Sequence, residues 1–234
     1  MIAGKSVLAV IPARGGSKGL PRKNILSFAG KPLLAWTIET AQACPYIDRL
    51  LVSSEDEEII STARQWGCEV PFVRPLELAT DQATAVQVAK HVLQSLSETY
   101  DYLVWLQPTS PLRLSEDITQ CLSICVQEGV LACVSVTEAG KSPYWMYSLN
   151  KHNELQPILA EDFSRHNRQA LPVVYALNGA ILVCRVDHFL EKGYFMNGKT
   201  RGYVMPTQRS WDIDTELDFR IAEFLQQDIL NKKQ

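Results

Sequence analysis

Short apolar runs alternate with amphipathic stretches along the chain as far as Val136. The segment SVLAVI is almost continuously apolar, which is typical of a strand buried on both faces of a parallel sheet. Other stretches place apolar residues at a spacing of three and four, as one face of a helix requires. The strands predicted in this way are Ser6–Ile11, Arg49–Ser54, Glu69–Val73, Tyr102–Gln107 and Val130–Val136. The predicted helices are Pro32–Cys44, Glu55–Gly67, Thr84–Leu96, Glu116–Gly129 and Thr215–Leu230.

The alternation of strands and helices predicts βαβ units. The fold class that follows is α/β, with a Rossmann-like sheet that is mostly parallel and flanked by helices. In such sheets ligands bind at the carboxyl ends of the strands. Polar groups follow several predicted strands, at Arg14–Asn24, Ser53–Glu55 and Gln107–Arg113. We therefore expect the functional site to lie where these loops meet.

The regular alternation ends near Thr137. Residues 138–178 contain prolines, aromatic residues and charges without a helical period. Within and just after this stretch, Pro143–Leu149 and Asn178–Arg185 look strand-like. We interpret the region as an insertion of strands and loops in an otherwise regular α/β fold.

We expect one domain over residues 1–234, with residues 138–200 containing an arm that packs on a second subunit. This segment is rich in aromatic residues, and Tyr194 and Phe195 look exposed. Exposed apolar patches usually mark interfaces. The sequence therefore predicts a homodimer.

Composition narrows the choice of partner. The chain has 234 residues, a formal net charge of −3 and 46% hydrophobic residues, as in an ordinary soluble globular protein. This charge argues against nucleic acid and against a membrane surface as partners. The apolar run Val7–Ile11 is too short for a secretory signal, and no segment has the length that spans a bilayer, so we expect a cytoplasmic protein. The six cysteines form no CxxC pair and are expected to be reduced core residues.

Positive charge and glycine are concentrated in the opening loop, IPARGGSKGLPRKNI (Ile11–Ile25). Its cations are Arg14, Lys18, Arg22 and Lys23, and its glycines are Gly15, Gly16 and Gly19. Backbone N–H groups of a glycine-rich loop after a strand suit a phosphate, and nearby cations add charge. The loop matches neither the P-loop pattern nor GxGxxG. A solvated turn is the alternative, and a site for a small anionic ligand is the prediction.

Two carboxylates near the end of the chain, Asp212 and Asp214, flank Ile213. In an extended segment both would face one side and could share a Mg²⁺ ion. Because a helix is predicted to start immediately afterwards, Asp214 is also a candidate N-cap. The spacing alone favours the cap.

The opening loop and several further blocks resemble those of the N-acylneuraminate cytidylyltransferases, the CMP-sialic acid synthetases. They occur in that family's order and spacing and cover nearly the whole chain. The blocks are SSE (Ser53–Glu55), RPLELATD (Arg74–Asp81), LQPTSPLR (Leu106–Arg113), RQALP (Arg168–Pro172), NGA (Asn178–Ala180) and WDIDTELDF (Trp211–Phe219). The resemblance implies transfer of CMP from CTP to the anomeric hydroxyl of a nine-carbon α-keto acid sugar, with release of pyrophosphate and with Mg²⁺ as cofactor.

The resemblance also implies roles for individual residues. Arg14 and Lys23 match catalytic, phosphate-binding cations. The nucleotide-binding set is Ala13, Arg14, Gly15, Gly16, Lys23, Asn24 and Arg74. The sugar-binding set is Gln107, Arg168, Asn178, Tyr194 and Phe195, with Arg168 pairing with the sugar carboxylate. Asp212 and Asp214 match metal ligands, which favours metal binding over capping for Asp214. A structural role for Arg74, as a brace between loops, is equally open.

Two positions depart from the pattern of the sialic-acid enzymes. Leu182 stands where a tyrosine is frequent, and Trp145 lies where some members have a lysine. If both side chains line the sugar pocket, they favour a less hydroxylated sugar. We predict a sialic-acid-type sugar as substrate, with legionaminate or another bacterial nonulosonate as the alternative. A non-catalytic nucleotide-sugar-binding protein is the alternative from another class.

Overall fold

A six-stranded sheet flanked by helices forms the centre of the protein, whose computed structural model describes residues 1–159 and 167–231. In chain order the strands are β1 (Val7–Pro12), β2 (Ser27–Phe28), β3 (Lys31–Pro32), β4 (Arg49–Ser53), β5 (Tyr102–Leu106), β6 (Ala132–Glu138), β7 (Tyr147–Leu149), β8 (Leu155–Pro157), β9 (Tyr175–Arg185) and β10 (Arg201–Val204). The helices are α1 (Leu33–Gln42), α2 (Glu57–Gln65), α3 (Ala85–Ser95), α4 (Ser115–Gln127), α5 (Val186–Lys192) and α6 (Glu216–Asn231).

The strand order in this sheet is β10-β6-β9-β5-β1-β4. β1 pairs in parallel with β4 and β5, and β10 pairs in parallel with β6. β9 runs antiparallel to both of its neighbours, β5 and β6. The predicted α/β class with a mostly parallel sheet is confirmed. β9 is the exception because the chain returns beside β6 through strands and loops, without the helical crossover that parallel pairing requires.

The sheet is buried on both faces, which explains the continuous apolar run in β1. Val7, Ala9 and Ile11 point into a core shared with α1, α2 and α4. Leu8 and Val10 point into a second core, shared with α3 and α5. Successive side chains of a strand face opposite sides, so a strand covered twice has no polar face.

The helices predicted from periodicity are all present, with ends that differ by a few residues. The predicted strand Glu69–Val73 is wrong: it forms a single bridge, between Glu69 and Leu51. Pro71 has no N–H group to donate, which disfavours a longer ladder at this position. The short elements α5 and β10 had no periodic signal long enough to predict them.

The six cysteines are buried and free, as expected of core residues. No helix within residues 1–159 and 167–231 is long and apolar enough to cross a bilayer.

The insertion after β6 contains a two-stranded hairpin, in which β7 pairs with β8. Leu149 and Leu155 face each other across the hairpin, and both are exposed, as are Tyr175 and Leu177 at the start of β9. The expectation that Phe195 is exposed is wrong. Its ring is buried in the second core and stacks on Phe189 with a centroid distance of 4.7 Å.

Candidate functional site

A cleft of about 340 Å³ opens at the carboxyl ends of β1 and β5, where ligands of parallel sheets bind. Its walls come from the opening loop, from the segment before α3, from the turn after β5 and from the segment before α6. Among the predicted site residues, those that line the cleft are Arg14, Gly16, Lys23, Asn24, Arg74, Gln107 and Asp214.

The first glycine of the opening loop faces the protein rather than the cleft. The N–H group of Gly15 donates to Glu55 Oε1 at 2.7 Å, and a Cβ at Gly15 would overlap Asp56 Oδ2. The N–H group of Gly15 is therefore already used within the protein, and its predicted contact with a phosphate would require this hydrogen bond to break. Gly16 lines the cleft, and a Cβ there would have no neighbour within 4 Å.

Arg22 anchors the opening loop to the start of α2. Its backbone is left-handed, with φ of 60°, and its guanidinium hydrogen-bonds to the carboxylates of Asp56 and Glu58. Asp56 also caps α2 by accepting from the N–H groups of Glu58 and Ile59. Burial opposes ionisation of Asp56, but Arg22 and these N–H groups outweigh it and hold the pKa of that carboxyl below its ordinary value. Sequence reasoning assigned no role to Arg22, Glu55 or Asp56.

Lys23 connects the opening loop with the end of the chain. Its ammonium group donates to the carbonyl oxygen of Ile213 at 2.8 Å and lies 3.1 Å from Asp214 Oδ1, across 190 residues of sequence. Asn24 is buried beside it and donates from Nδ2 to the carbonyl of Arg14 at 3.0 Å. The predicted phosphate-binding and metal-binding segments are thus in direct contact.

Arg14 connects the opening loop with the segment before α3. Its Nη1 atom is 2.9 Å from Asp81 Oδ1 and 3.4 Å from the carbonyl oxygen of Ala79. Lys18 approaches the other oxygen of Asp81, at 2.5 Å. Asp81 was part of a matched block, but no role was predicted for it.

Arg74 braces the end of β4. It is buried, and its guanidinium donates to the side-chain and backbone oxygens of Ser53. Burial lowers its pKa to about 10, against the opposing effect of the Glu55 carboxylate. The structural alternative for Arg74 is therefore confirmed, and its contact with a base stays a prediction. Ala13 is also buried, and its N–H group donates to the Ser53 carbonyl at 3.0 Å.

Asp212 and Asp214 have contrasting environments. Asp214 is 77% exposed, whereas one carboxylate oxygen of Asp212 is buried and has no hydrogen-bond partner within the described residues. Burial raises the pKa of Asp212, partly offset by a hydrogen bond from Thr109. The N-cap of α6 is Thr215, whose hydroxyl accepts from the N–H group of Asp218 at 3.2 Å. The capping alternative for Asp214 is wrong.

This pair of carboxylates fits a hard divalent cation. Mg²⁺ is bound through one or two carboxylates, with water and substrate phosphates as its other ligands. The buried oxygen of Asp212, which lacks a hydrogen-bond partner among the described residues, is the kind of ligand that Mg²⁺ prefers. Within the described ranges, no group of three or more His, Cys, Asp or Glu residues could form an all-protein site.

Gln107 directly follows β5 and Asn178 lies on the neighbouring strand β9, but the two amides differ in whether they are free to bind a ligand. Asn178 is buried, donates to Ser210 Oγ at 2.9 Å and accepts from Ser135 Oγ at 2.6 Å. Its amide is thus used within the protein, whereas Gln107 lines the cleft. Gly179 in β9, with φ of 71°, lies against both Gln107 and Asp212, since a Cβ there would be 3.6 Å from each side chain.

Among the described side chains, neither Tyr194 nor Phe195 lines the cleft. Arg168 belongs to a short 3-10 turn, Arg168–Ala170, and its side chain is outside the described part of the structure. Tyr194 is 41% exposed, and its ring lies 5.6 Å from that of His188. Leu182, expected in the sugar pocket, instead packs against the second core.

Comparison with known proteins gives matches over most of the sequence. A family model described as "Cytidylyltransferase" matches residues 8–167. The N-acylneuraminate cytidylyltransferase of Escherichia coli O18:K1:H7 is 36% identical, over 94% of this chain and 52% of that protein. The pseudaminic acid cytidylyltransferase of Campylobacter jejuni is 35% identical, over 93% of this chain and 95% of that protein. The CMP-N,N'-diacetyllegionaminic acid synthase of Legionella pneumophila is 34% identical, over 94% of this chain and 95% of that protein.

Solved structures share the fold at low sequence identity. CMP:2-keto-3-deoxy-manno-octonic acid synthetase in complex with CTP superposes with a TM-score of 0.72 at 16% identity, over 96% of this chain and 99% of that one. The 4-diphosphocytidyl-2C-methyl-D-erythritol synthase of Anaerococcus prevotii superposes with a TM-score of 0.67 at 15% identity, with the same coverage of both chains. The chain spans about half the length of the E. coli relative and nearly all of the C. jejuni and L. pneumophila relatives.

Gly19→Ala is expected to destabilise the protein, because a Cβ there would overlap the backbone carbonyl oxygen of Asp214. A backbone atom cannot rotate away, so the opening loop or the segment before α6 must shift. The free energy of unfolding, measured in urea, should fall by about 1–3 kcal/mol, as in other overpacked sites.

Gly16→Ala is the matched control, because the space around Gly16 is open. It should unfold at the wild-type urea concentration. Equal stability of the two variants would contradict the close approach of Gly19 to Asp214.

Proposed function

The chain belongs to the cytidylyltransferase family, and on that premise we propose that it transfers CMP from CTP to the anomeric hydroxyl of a nine-carbon α-keto acid sugar and releases pyrophosphate. The observation that carries the proposal is the meeting of Arg14, Lys23 and Asp214 in one cleft, although the chain separates Lys23 from Asp214 by 191 residues. Cations suit the triphosphate, and the carboxylates suit the metal that accompanies it.

The reaction needs positioning and charge stabilisation more than covalent help from the protein. The sugar hydroxyl attacks the α-phosphorus of CTP and loses its proton to solvent, the new oxygen–phosphorus bond forms, and the bond to the leaving pyrophosphate breaks. Lys23, fixed by the Ile213 carbonyl, would hold its charge close to the developing negative charge on phosphate oxygens. Arg14 would bind another phosphate oxygen in the same cleft, and the open backbone at Gly16 would allow a phosphate to approach closely.

We propose Mg²⁺ as the cofactor, bound by Asp212 and Asp214. When bound, it would neutralise phosphate charge and orient the triphosphate. The proposal is supported by the unpaired buried oxygen of Asp212 and by the exposed carboxylate of Asp214. Lys23 beside Asp214 keeps the net charge of the empty site low.

For the acceptor, we propose a sialic-acid-type sugar, with Gln107 lining its site and Arg168 pairing with its carboxylate. Relatives at nearly equal identity are named for N-acylneuraminate, pseudaminic acid and legionaminic acid, so bacterial nonulosonates remain a second candidate class. The packing of Leu182 in the core removes one of the two residues that favoured an apolar sugar pocket. A cytoplasmic location, where CTP is available, stays a prediction.

The experiment that tests this function measures pyrophosphate release from CTP, with and without a panel of nonulosonic acids. Release should require both CTP and a sugar acid. Lys23→Ala removes a buried positive charge from the phosphate site and should lower turnover at least tenfold, equivalent to about 1.4 kcal/mol of activation free energy.

Lys5→Ala is the matched control, since Lys5 precedes β1 at the opposite edge of the sheet. Its turnover should match that of the wild type. Pyrophosphate-yielding breakdown of CTP without sugar would indicate a hydrolase. Binding of CTP without turnover on any sugar would favour a binding protein, and normal turnover by Lys23→Ala would refute its assigned role.

Asp214→Asn should weaken metal binding without affecting folding, because Thr215 rather than Asp214 caps α6. Pyrophosphate release should fall sharply, and the Mg²⁺ concentration at half-maximal rate should rise. Asp212→Asn should act in the same direction. Glu216→Gln, which removes an exposed carboxylate two residues further along, should leave the Mg²⁺ dependence unchanged. An unaltered Mg²⁺ dependence in both aspartate variants would rule out the metal assignment.

We also propose a homodimer formed through the β7–β8 hairpin and the start of β9, which expose Leu149, Leu155 and Leu177. The wild type should sediment as a dimer at micromolar concentration. Leu149→Asp should shift it towards the monomer, because a carboxylate in an apolar interface is strongly unfavourable. Phe224→Asp, a change at an exposed position outside residues 138–200, should remain dimeric. A fully active wild-type monomer would disprove this interface.

A further inference from the structure

Asp81 is an acidic side chain in the wall of a cleft that otherwise suits an anion. Its two carboxylate oxygens are shared between two cations of the opening loop: Oδ1 lies 2.9 Å from Arg14 Nη1, and Oδ2 lies 2.5 Å from Lys18 Nζ. Arg14 also reaches the carbonyl oxygen of Ala79 on the same segment, at 3.4 Å. Both cations thus share one carboxylate, whose single negative charge offsets only part of theirs.

The Asp81 contacts are accessible to solvent. The side chains of Asp81, Arg14 and Lys18 are 42%, 37% and 84% exposed. Hydrogen bonds from Lys18 and Arg14 hold the pKa of the Asp81 carboxyl below its ordinary value, so it is charged at neutral pH. Ion pairs between exposed side chains contribute little to stability, and a competing anion can displace them at small cost.

Lys23 differs in this respect. Its side chain is only 14% exposed, and besides Asp214 it is held by a neutral backbone carbonyl, that of Ile213. An entering phosphate would therefore find Lys23 already fixed, whereas Arg14 and Lys18 must first be released from Asp81.

We propose that Asp81 is an internal counter-ion of the phosphate site: it pairs with Arg14 and Lys18 in the empty enzyme, yields them to the triphosphate and pairs with them again as pyrophosphate leaves. This inference rests on the proposed function. It makes Asp81 a positioning residue that acts through two cations. The triphosphate carries several negative charges, whereas Asp81 carries one, and it presents more acceptor oxygens. It therefore displaces Asp81 from the two cations.

Competition of this kind weakens binding of substrate and product alike. If the cations are free in only a fraction of molecules, the apparent dissociation constant of an anion rises by the inverse of that fraction. Tight binding of a product that must leave slows an enzyme, whereas uniform weakening of binding does not lower the rate at saturation. Asp81 would thus favour release of pyrophosphate.

The opposite role for Asp81 is to orient Arg14 for the phosphate. The two roles predict opposite signs. Loss of an orienting carboxylate weakens anion binding, whereas loss of a competing carboxylate strengthens it. A third role, as a ligand of the metal, predicts weaker binding only when Mg²⁺ is present.

Asp81→Asn separates these roles in calorimetric titrations with pyrophosphate, with and without Mg²⁺, alongside steady-state measurement of KM for CTP. The dissociation constant of pyrophosphate and the KM should both fall by about twofold to fivefold, the range expected for loss of an exposed ion pair. Because Asp81 is exposed, the variant should keep the wild-type melting temperature.

Glu77→Gln is the matched control. Glu77 is exposed on the same segment, and its replacement removes the same charge while leaving the Asp81 contacts intact. It should leave both constants unchanged. A gain equal to that of Asp81→Asn would show a general effect of charge and overturn the counter-ion role.

Unchanged or weaker pyrophosphate binding by Asp81→Asn, in a protein whose wild type turns over CTP, would overturn this inference and leave the proposed function standing. If Asp81→Asn bound pyrophosphate more weakly only in buffer that contains Mg²⁺, Asp81 would be a ligand of the metal, and the counter-ion inference would be overturned as well. A wild type that neither binds pyrophosphate nor uses CTP would overturn both the inference and the function.

Discussion

The burial of β1 on both faces is the constraint on which the site depends. All residues from Val7 to Ile11 are fully buried, and hydrogen bonds to β4 and β5 hold the strand on either side. A strand fixed in this way cannot slide, because a shift of one residue would exchange its two buried faces. The opening loop therefore starts at a defined point, next to the ends of β4 and β5. Ser53 and Gln107 lie beside it for the same reason.

Three cations of the opening loop each have a carboxylate partner within the protein. Arg14 faces Asp81, Lys23 faces Asp214, and Arg22 faces Asp56. The three ion pairs have different roles, because the cations and their carboxylate partners make different further contacts. Arg22 is bound to Asp56, which caps α2, and anchors the loop, whereas Arg14 is paired with Asp81 at a partly exposed position in the cleft. Binding a triphosphate is thus an exchange of partners for some cations and an addition of charge for others.

Much of this arrangement could be predicted from sequence, since periodicity revealed the buried strands and the helices. The opening loop was recognisable from its glycines and cations. Properties that depend on three-dimensional packing were not predictable. Phe195 looked exposed because no local pattern shows that Phe189 lies beneath it. The N–H group of Gly15 looked available because its partner, Glu55, lies forty residues away.

The same limit applies to the two metal-site candidates, which are alike in sequence and different in environment. Asp212 lies beside Gly179 of β9 and Thr109, where burial disfavours its charge and one of its oxygens has no hydrogen-bond partner among the residues that the structure describes. Asp214 is in solvent and is paired with Lys23. When bound, a metal would offset the negative charge of both carboxylates, although Asp214 already has Lys23 as a partner. Lys23 itself would stay in place, because the carbonyl oxygen of Ile213 also holds its ammonium group. The segment before α6 thus contributes to both parts of the site, since its carboxylates suit a metal and its backbone carbonyl fixes a cation that suits the phosphates.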